Sequence, residues 1–124
     1  MTAPELPAHL PALFGRLLAR KAADATPAAL EVGLAEWLAA RDEALTSTEF
    51  IDLDAGALLM RASRLLLARW DRLPPDHRLL ASAAILYFIE TEDEDSDFDI
   101  GGLDDDLAVM RWTFGRIGLP WPPA

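Results

Sequence analysis

The chain has no cysteine and only two histidines among its 124 residues. Without thiols, neither a disulfide framework nor a thiolate metal site can form, which suits a reducing compartment. The histidines are His9 and His77, and neither has a glutamate at the spacing of a helical-bundle metal motif. His77 follows Asp76 in what reads as the first turn of a helix, where a surface or capping role is expected rather than that of a general base. Ser47, Ser63, Ser82 and Ser96 have no base suggested by the sequence, so no nucleophile triad can be argued. No glycine-rich phosphate loop is present. Function has to be argued from a site, and these gaps leave catalysis poorly supplied, so a non-enzymatic protein is expected. Long apolar runs are missing too. The longest, residues 79–89, is about half of the roughly 20 residues a membrane span needs. The opening Met-Thr-Ala-Pro-Glu-Leu-Pro has neither the basic start nor the apolar core of a signal peptide. The expectation is a cytoplasmic protein with no membrane span.

What is present points to a folded chain. Hydrophobic residues make up 52%, too many for a disordered chain even at this net charge. The length fits one domain, residues 1–124, with a core of its own.

The charge is distributed unevenly. The formal net charge is −10, from 21 acids and 11 bases. Glu90, Glu92, Asp93, Glu94, Asp95, Asp97, Asp99, Asp104, Asp105 and Asp106 form a segment without a single base. Removing those ten leaves 11 acids against 11 bases, so the remainder is neutral and the whole surplus belongs to residues 90–106. A focused field of one sign attracts something of the other.

Apolar periodicity predicts five helices and no strand, an all-α compact bundle with an acidic loop between the last two helices. The first is expected over residues 11–23, with Leu10, Leu13, Phe14, Leu17 and Leu18 at helical spacing. Thr26-Pro27 supplies an N-cap followed by proline at the first helical position. Behind it Leu30, Leu34, Trp37, Leu38 and Leu45 form one stripe, ended by a polar break with a capping-box pair, Thr46 and Glu49. The third helix is expected to start between Thr48 and Ala55 and to run to Leu73. Its buried face is Leu59, Ala62, Leu66, Trp70 and Leu73, with Arg61, Arg64, Arg69 and Arg72 within about 140° on the other side. Pro74-Pro75 stops it and starts the fourth helix, residues 76–90, which is apolar nearly all round and therefore central. The fifth, residues 103–117, points Leu103, Leu107, Met110, Phe114 and Ile117 inward. Asp104, Asp105 and Asp106 sit in its first turn, where the helix dipole favours them. Gly118 then Leu119 reads as a left-handed C-terminal cap. Trp121, among Pro120, Pro122 and Pro123, is expected to fold back on the core, because terminal segments stay ordered only when tied down. Its other reading is a recognition tail.

Read from Asp93, the loop places Asp93, Asp95, Asp97 and Asp99 at positions 1, 3, 5 and 7 of a calcium loop, Ile100 at 8 and Asp104 at 12. A Ca2+ or Mg2+ ion held by Asp93, Asp95, Asp97, Asp99 and Asp104 is therefore one expectation. Against it, position 6 is Phe98 where the sharp turn needs glycine, and Asp104 is shorter than the usual bidentate glutamate. The plainer alternative is a solvated acidic face, or an internal charge match with the arginine helix. Exposed pairs of that kind contribute only about 0–1 kcal/mol each.

At this loop the sequence resembles the YkvA-like family of small bacterial helical domains of unknown function. Tyr87 is followed six residues on by Asp93 and four further by Asp97-Phe98. Gly101-Gly102-Leu103-Asp104-Asp105 then matches the Gly-x-Leu-Asp-Asp that opens the family's next helix. Thr91 and Ser96 stand where the family has prolines, and Glu92, Glu94 and Asp99 replace apolar loop residues. The resemblance covers about a quarter of the chain. It implies a bacterial source and a helical hairpin with paired aspartates, present for structural reasons, and no settled activity.

The functional expectation is an adaptor or inhibitor-type binding protein offering residues 90–106 to a basic protein partner. The contacting residues would be Glu92, Asp93, Glu94, Asp95, Asp97, Asp99, Asp105 and Asp106. Arg61, Arg64, Arg69 and Arg72 would form a second surface, or receive the acidic loop of another copy in a homo-oligomer. Direct nucleic-acid binding is not expected, because phosphate repels a domain this acidic. The alternative expectation is the divalent-cation loop, and no other cofactor is foreseen.

Overall fold

The computed structural model describes residues 7, 10–44, 53–89 and 103–123. Among them the chain forms five α-helices and no strand: α1 (Ala12–Arg20), α2 (Pro27–Ala44), α3 (Leu53–Ala68), α4 (Pro75–Ile89) and α5 (Asp104–Ile117). Two short 3-10 turns, Ala22–Asp24 and Trp70–Arg72, close the connections after α1 and α3. Leu45 and the Thr46–Glu49 pair lie outside the described residues.

Local chemistry accounts for most helix ends. The Thr26 hydroxyl accepts a 3.1 Å hydrogen bond from the Ala29 N–H, satisfying one of the donors a helix start leaves over, and Pro27 occupies the first helical position. α3 is shorter than its apolar stripe predicts. It ends at Ala68, and the chain turns through Trp70–Arg72 into an extended Leu73 with ψ 133°. Pro74 accounts for the extended Leu73, since its ring disfavours helical backbone at the preceding residue. Arg78, one turn into α4, reaches back and donates from Nε to the Trp70 carbonyl at 2.9 Å. At the other end of α5, Gly118 adopts φ +90°, and the N–H groups of Gly118 and Leu119 both donate to the Phe114 carbonyl at 2.9 Å. Only glycine takes that conformation without strain.

α4 is the axis of the bundle. It packs against α1, α2, α3 and α5, and Leu80, Ala81, Ser82, Ala83, Ala84, Ile85, Tyr87 and Phe88 are all buried. A helix that is apolar on every side needs that enclosure. Around it the buried side chains of all five helices form one cluster, from Leu10 and Phe14 on α1's side to Phe114 on α5. Ring contacts tie it together: Trp37 lies 4.6 Å from Phe88, and Phe14 meets Trp112 edge-on at 5.8 Å. Phe88, Phe114 and Leu66 are fully buried, and each is worth about 1.5–3 kcal/mol relative to exposure.

The C-terminal tail docks. Trp121 is half-buried, stands edge-on to Phe114 at 5.2 Å, and is followed by a cis bond to Pro122 and a buried Pro123. No helix among the described residues is long and apolar enough to cross a membrane.

Candidate functional site

Two surfaces carry the charged groups that could recognise a partner. The first is the end of the bundle where α4 stops and α5 begins. Both flanks of the acidic segment are fixed there by apolar contacts. Phe88 is buried under Trp37, and Ile89 lies against Gly33, where a Cβ would collide with its Cδ1. On the other flank, buried Leu103 lies over Gly56, beside Trp37. A Cβ on Gly56 would stand 3.0 Å from the Trp37 ring and 3.8 Å from Leu103 Cδ1. Leu103 also begins α5, its carbonyl accepting from the Leu107 N–H at 2.9 Å. Asp104 and Asp105, the next two residues, are exposed at the positive end of the helix dipole.

Asp106 departs from the sequence expectation. It is 3% exposed, so it faces the interior and cannot be part of a partner-contacting face. The buried stripe of α5 runs Leu103, Asp106, Val109, Met110, Thr113 and Phe114, steps of three and four that carry Asp106 inward with its apolar neighbours. Thr113 settles its hydroxyl by donating to the Val109 carbonyl at 2.8 Å. Leu107 and Ile117, expected inward, are half-buried. Glu90, Glu92, Asp93, Glu94, Asp95, Asp97 and Asp99 lie outside the described residues, and with them the other four members of the cation set that includes Asp104. Among the described residues no group of three or more metal-binding side chains gathers.

Arg61, Arg64, Arg69 and Arg72 are all exposed. Arg61 and Arg64 lie on α3, whereas Arg69 and Arg72 belong to the turn and 3-10 segment beyond its end. They therefore do not form one continuous helix face. Among the described residues none of the four guanidinium groups is within ion-pair reach of a carboxylate.

The second surface was not foreseen from the sequence. On the outward side of α5, Ala108, Arg111, Trp112, Gly115 and Arg116 line an open groove of about 610 Å3. Arg111, Gly115 and Arg116 are exposed, and Trp112 is held half-buried by its contact with Phe14. A Cβ placed on Gly115 meets nothing within 4 Å, so the groove floor is open there. Counting about 100° per residue places Asp104, Asp105, Ala108, Arg111, Trp112, Gly115 and Arg116 within about 140° of arc. One helix face thus carries acids at its start, Ala108, Arg111, Trp112 and Gly115 along its middle and Arg116 near its end. The same count made on the sequence would have found it.

No family model, no curated protein and no solved structure matches this chain. The site therefore has to be read from its own residues.

The remaining polar residues add little to it. His77 is half-buried in the first turn of α4. Ser63 and Ser82 are buried in the core, where no substrate reaches them. His9, Ser47 and Ser96 lie outside the described residues. The short ion pair Arg41–Asp42, at 3.3 Å between adjacent residues, is of the exposed kind that contributes about 0–1 kcal/mol.

Proposed function

We propose that this chain is a non-enzymatic binding protein of adaptor or inhibitor type, which offers the acidic segment 90–105, without the buried Asp106, to a basic protein partner in the cytoplasm. The observation that carries this reading is the charge partition: all ten surplus negative charges lie within residues 90–106 and the rest of the molecule is balanced. Two features support it. Phe88 and Leu103 are buried at the segment's two flanks, so its ends are anchored to a rigid core. Asp104 and Asp105 are exposed beside that anchor. A charge fixed on a rigid frame steers association and selects partners by sign. The chain is further proposed to be a divergent relative of the YkvA-like family. The support for this is the spacing of Tyr87, Asp93, Asp97-Phe98 and Gly101-Gly102-Leu103-Asp104-Asp105 in the sequence, the residues that carry the resemblance.

The test compares the natural chain with Asp93→Lys/Asp95→Lys/Asp97→Lys as bait for basic proteins at low salt. The natural chain is expected to retain a basic protein that elutes as salt rises, and the variant to lose it with an unchanged circular dichroism spectrum. Retention of no basic protein, or equal retention by both chains, would contradict the proposal. Calorimetry with calcium covers the cation reading: saturable micromolar uptake abolished by Asp93→Ala and Asp97→Ala would replace a partner with an ion.

A further inference from the structure

We infer that the outward face of α5 is a self-complementary docking surface whose occupant is the same face of a second copy of this chain, packed antiparallel about a two-fold axis. The inference is independent of the segment 90–102 and rests only on described residues.

The ends of the face carry opposite charges. Asp104 and Asp105 are exposed in the first turn of α5, and Arg111 and Arg116 are exposed further along it. Among the described residues neither arginine has a carboxylate within ion-pair reach. Arg116 lies twelve residues from Asp104, about 18 Å along the axis at 1.5 Å per residue, too far for pairing within one helix. Turning a second copy end to end removes that separation. Asp104 and Asp105 of each copy then lie level with Arg116 of the other, with Arg111 nearer the axis, and one operation makes both sets of pairs, as an isologous interface requires. A parallel arrangement would instead set like charges against like.

The middle of the face allows close approach. Ala108 and Gly115 line the groove, seven residues apart and so on nearly the same side of the helix. Neither has bulk to hold a second helix away, and the space over Gly115 is open. Trp112 lies between them at the groove wall, its ring braced by Phe14 at 5.8 Å. It offers a rigid aromatic anchor of the kind that dominates interface energetics. A single helix pair buries less than a standard interface, so the dimer is expected to be weak and sensitive to salt.

The rest of the surface fits this occupant better than a small molecule. The groove volume of about 610 Å3 lies within the range of ligand sites, but such sites enclose most of their ligand, and this one is open along its length. Charge of both signs on one face selects a partner with the same pair of signs reversed, and a second α5 is such a partner.

Sedimentation equilibrium of the full chain over a concentration series tests the inference. At low salt the natural chain is expected to be a reversible dimer. Gly115→Trp, which fills the groove without touching the core, should weaken dimerisation about a hundredfold or more, as should Arg111→Glu/Arg116→Glu, which sets like charges across the interface. Mixing Arg111→Glu/Arg116→Glu with Asp104→Lys/Asp105→Lys, each monomeric alone, should restore a heterodimer. A natural chain that stays monomeric at the highest concentration reached, or a dimer unchanged by both Gly115→Trp and Arg111→Glu/Arg116→Glu, would overturn it. Circular dichroism of each variant separates loss of pairing from loss of fold. If Asp104→Lys/Asp105→Lys does not fold, the Gly115→Trp result decides alone.

Discussion

α4 and α5 are neighbours in sequence and in space, of nearly equal length at 15 and 14 residues, and they do opposite jobs. α4 buries Leu80 to Ile85, Tyr87 and Phe88, and exposes only Pro75 and Asp76 at its start. α5 buries one stripe and presents the other, with its acids and arginines segregated along it. The proposed recognition therefore rests on α5 and on the acidic segment that precedes it. α4 supplies the core on which both are held. An apolar helix costs nothing to enclose, whereas charged groups have to stay in water or find partners.

Substitutions along the two helices can break that contrast. Urea unfolding should be followed at dilutions where the chain is monomeric, since dimer formation adds its own stabilisation. Phe88→Ala on α4 is expected to cost the most, about 3–5 kcal/mol, because it empties a fully enclosed site under Trp37. Trp112→Ala on α5 should cost about 1–2 kcal/mol, since the ring is only partly buried beside the groove and mainly its contact with Phe14 is lost. Gly118→Ala should cost about 1 kcal/mol by placing a Cβ at φ +90°. Arg111→Ala should change monomer stability by less than about 0.5 kcal/mol, the usual effect of an exposed site. An Arg111→Ala loss approaching that of Phe88→Ala would mean that the outward face of α5 supports the fold rather than serving recognition.

Much of this arrangement was legible in the sequence where local chemistry decides it. The Thr26-Pro27 start, the Pro74-Pro75 break and the Gly118 cap each follow from a residue whose backbone or side chain permits few alternatives. The all-round apolar pattern of residues 79–89 was sufficient to place α4 at the centre. The end of α3 was not legible. Periodicity runs on through Trp70 and Leu73, and the turn there is stabilised by Arg78, a contact made only after folding. Asp106 was misplaced for a different reason: its charge was grouped with that of its neighbours, although its position in the stripe with Leu103 and Met110 turns it inward. The α5 groove does not follow from total charge, because it depends on the order of charges along one helix.

The most direct test is the rate at which the chain associates with the basic protein it retains, measured by stopped flow across a range of ionic strength. The account predicts fast association that falls steeply as salt rises, and a slower, nearly salt-independent rate for Asp93→Lys/Asp95→Lys/Asp97→Lys. Equal rates for the two chains with the same salt dependence would contradict it, because the partner would then be meeting a surface other than the acidic segment.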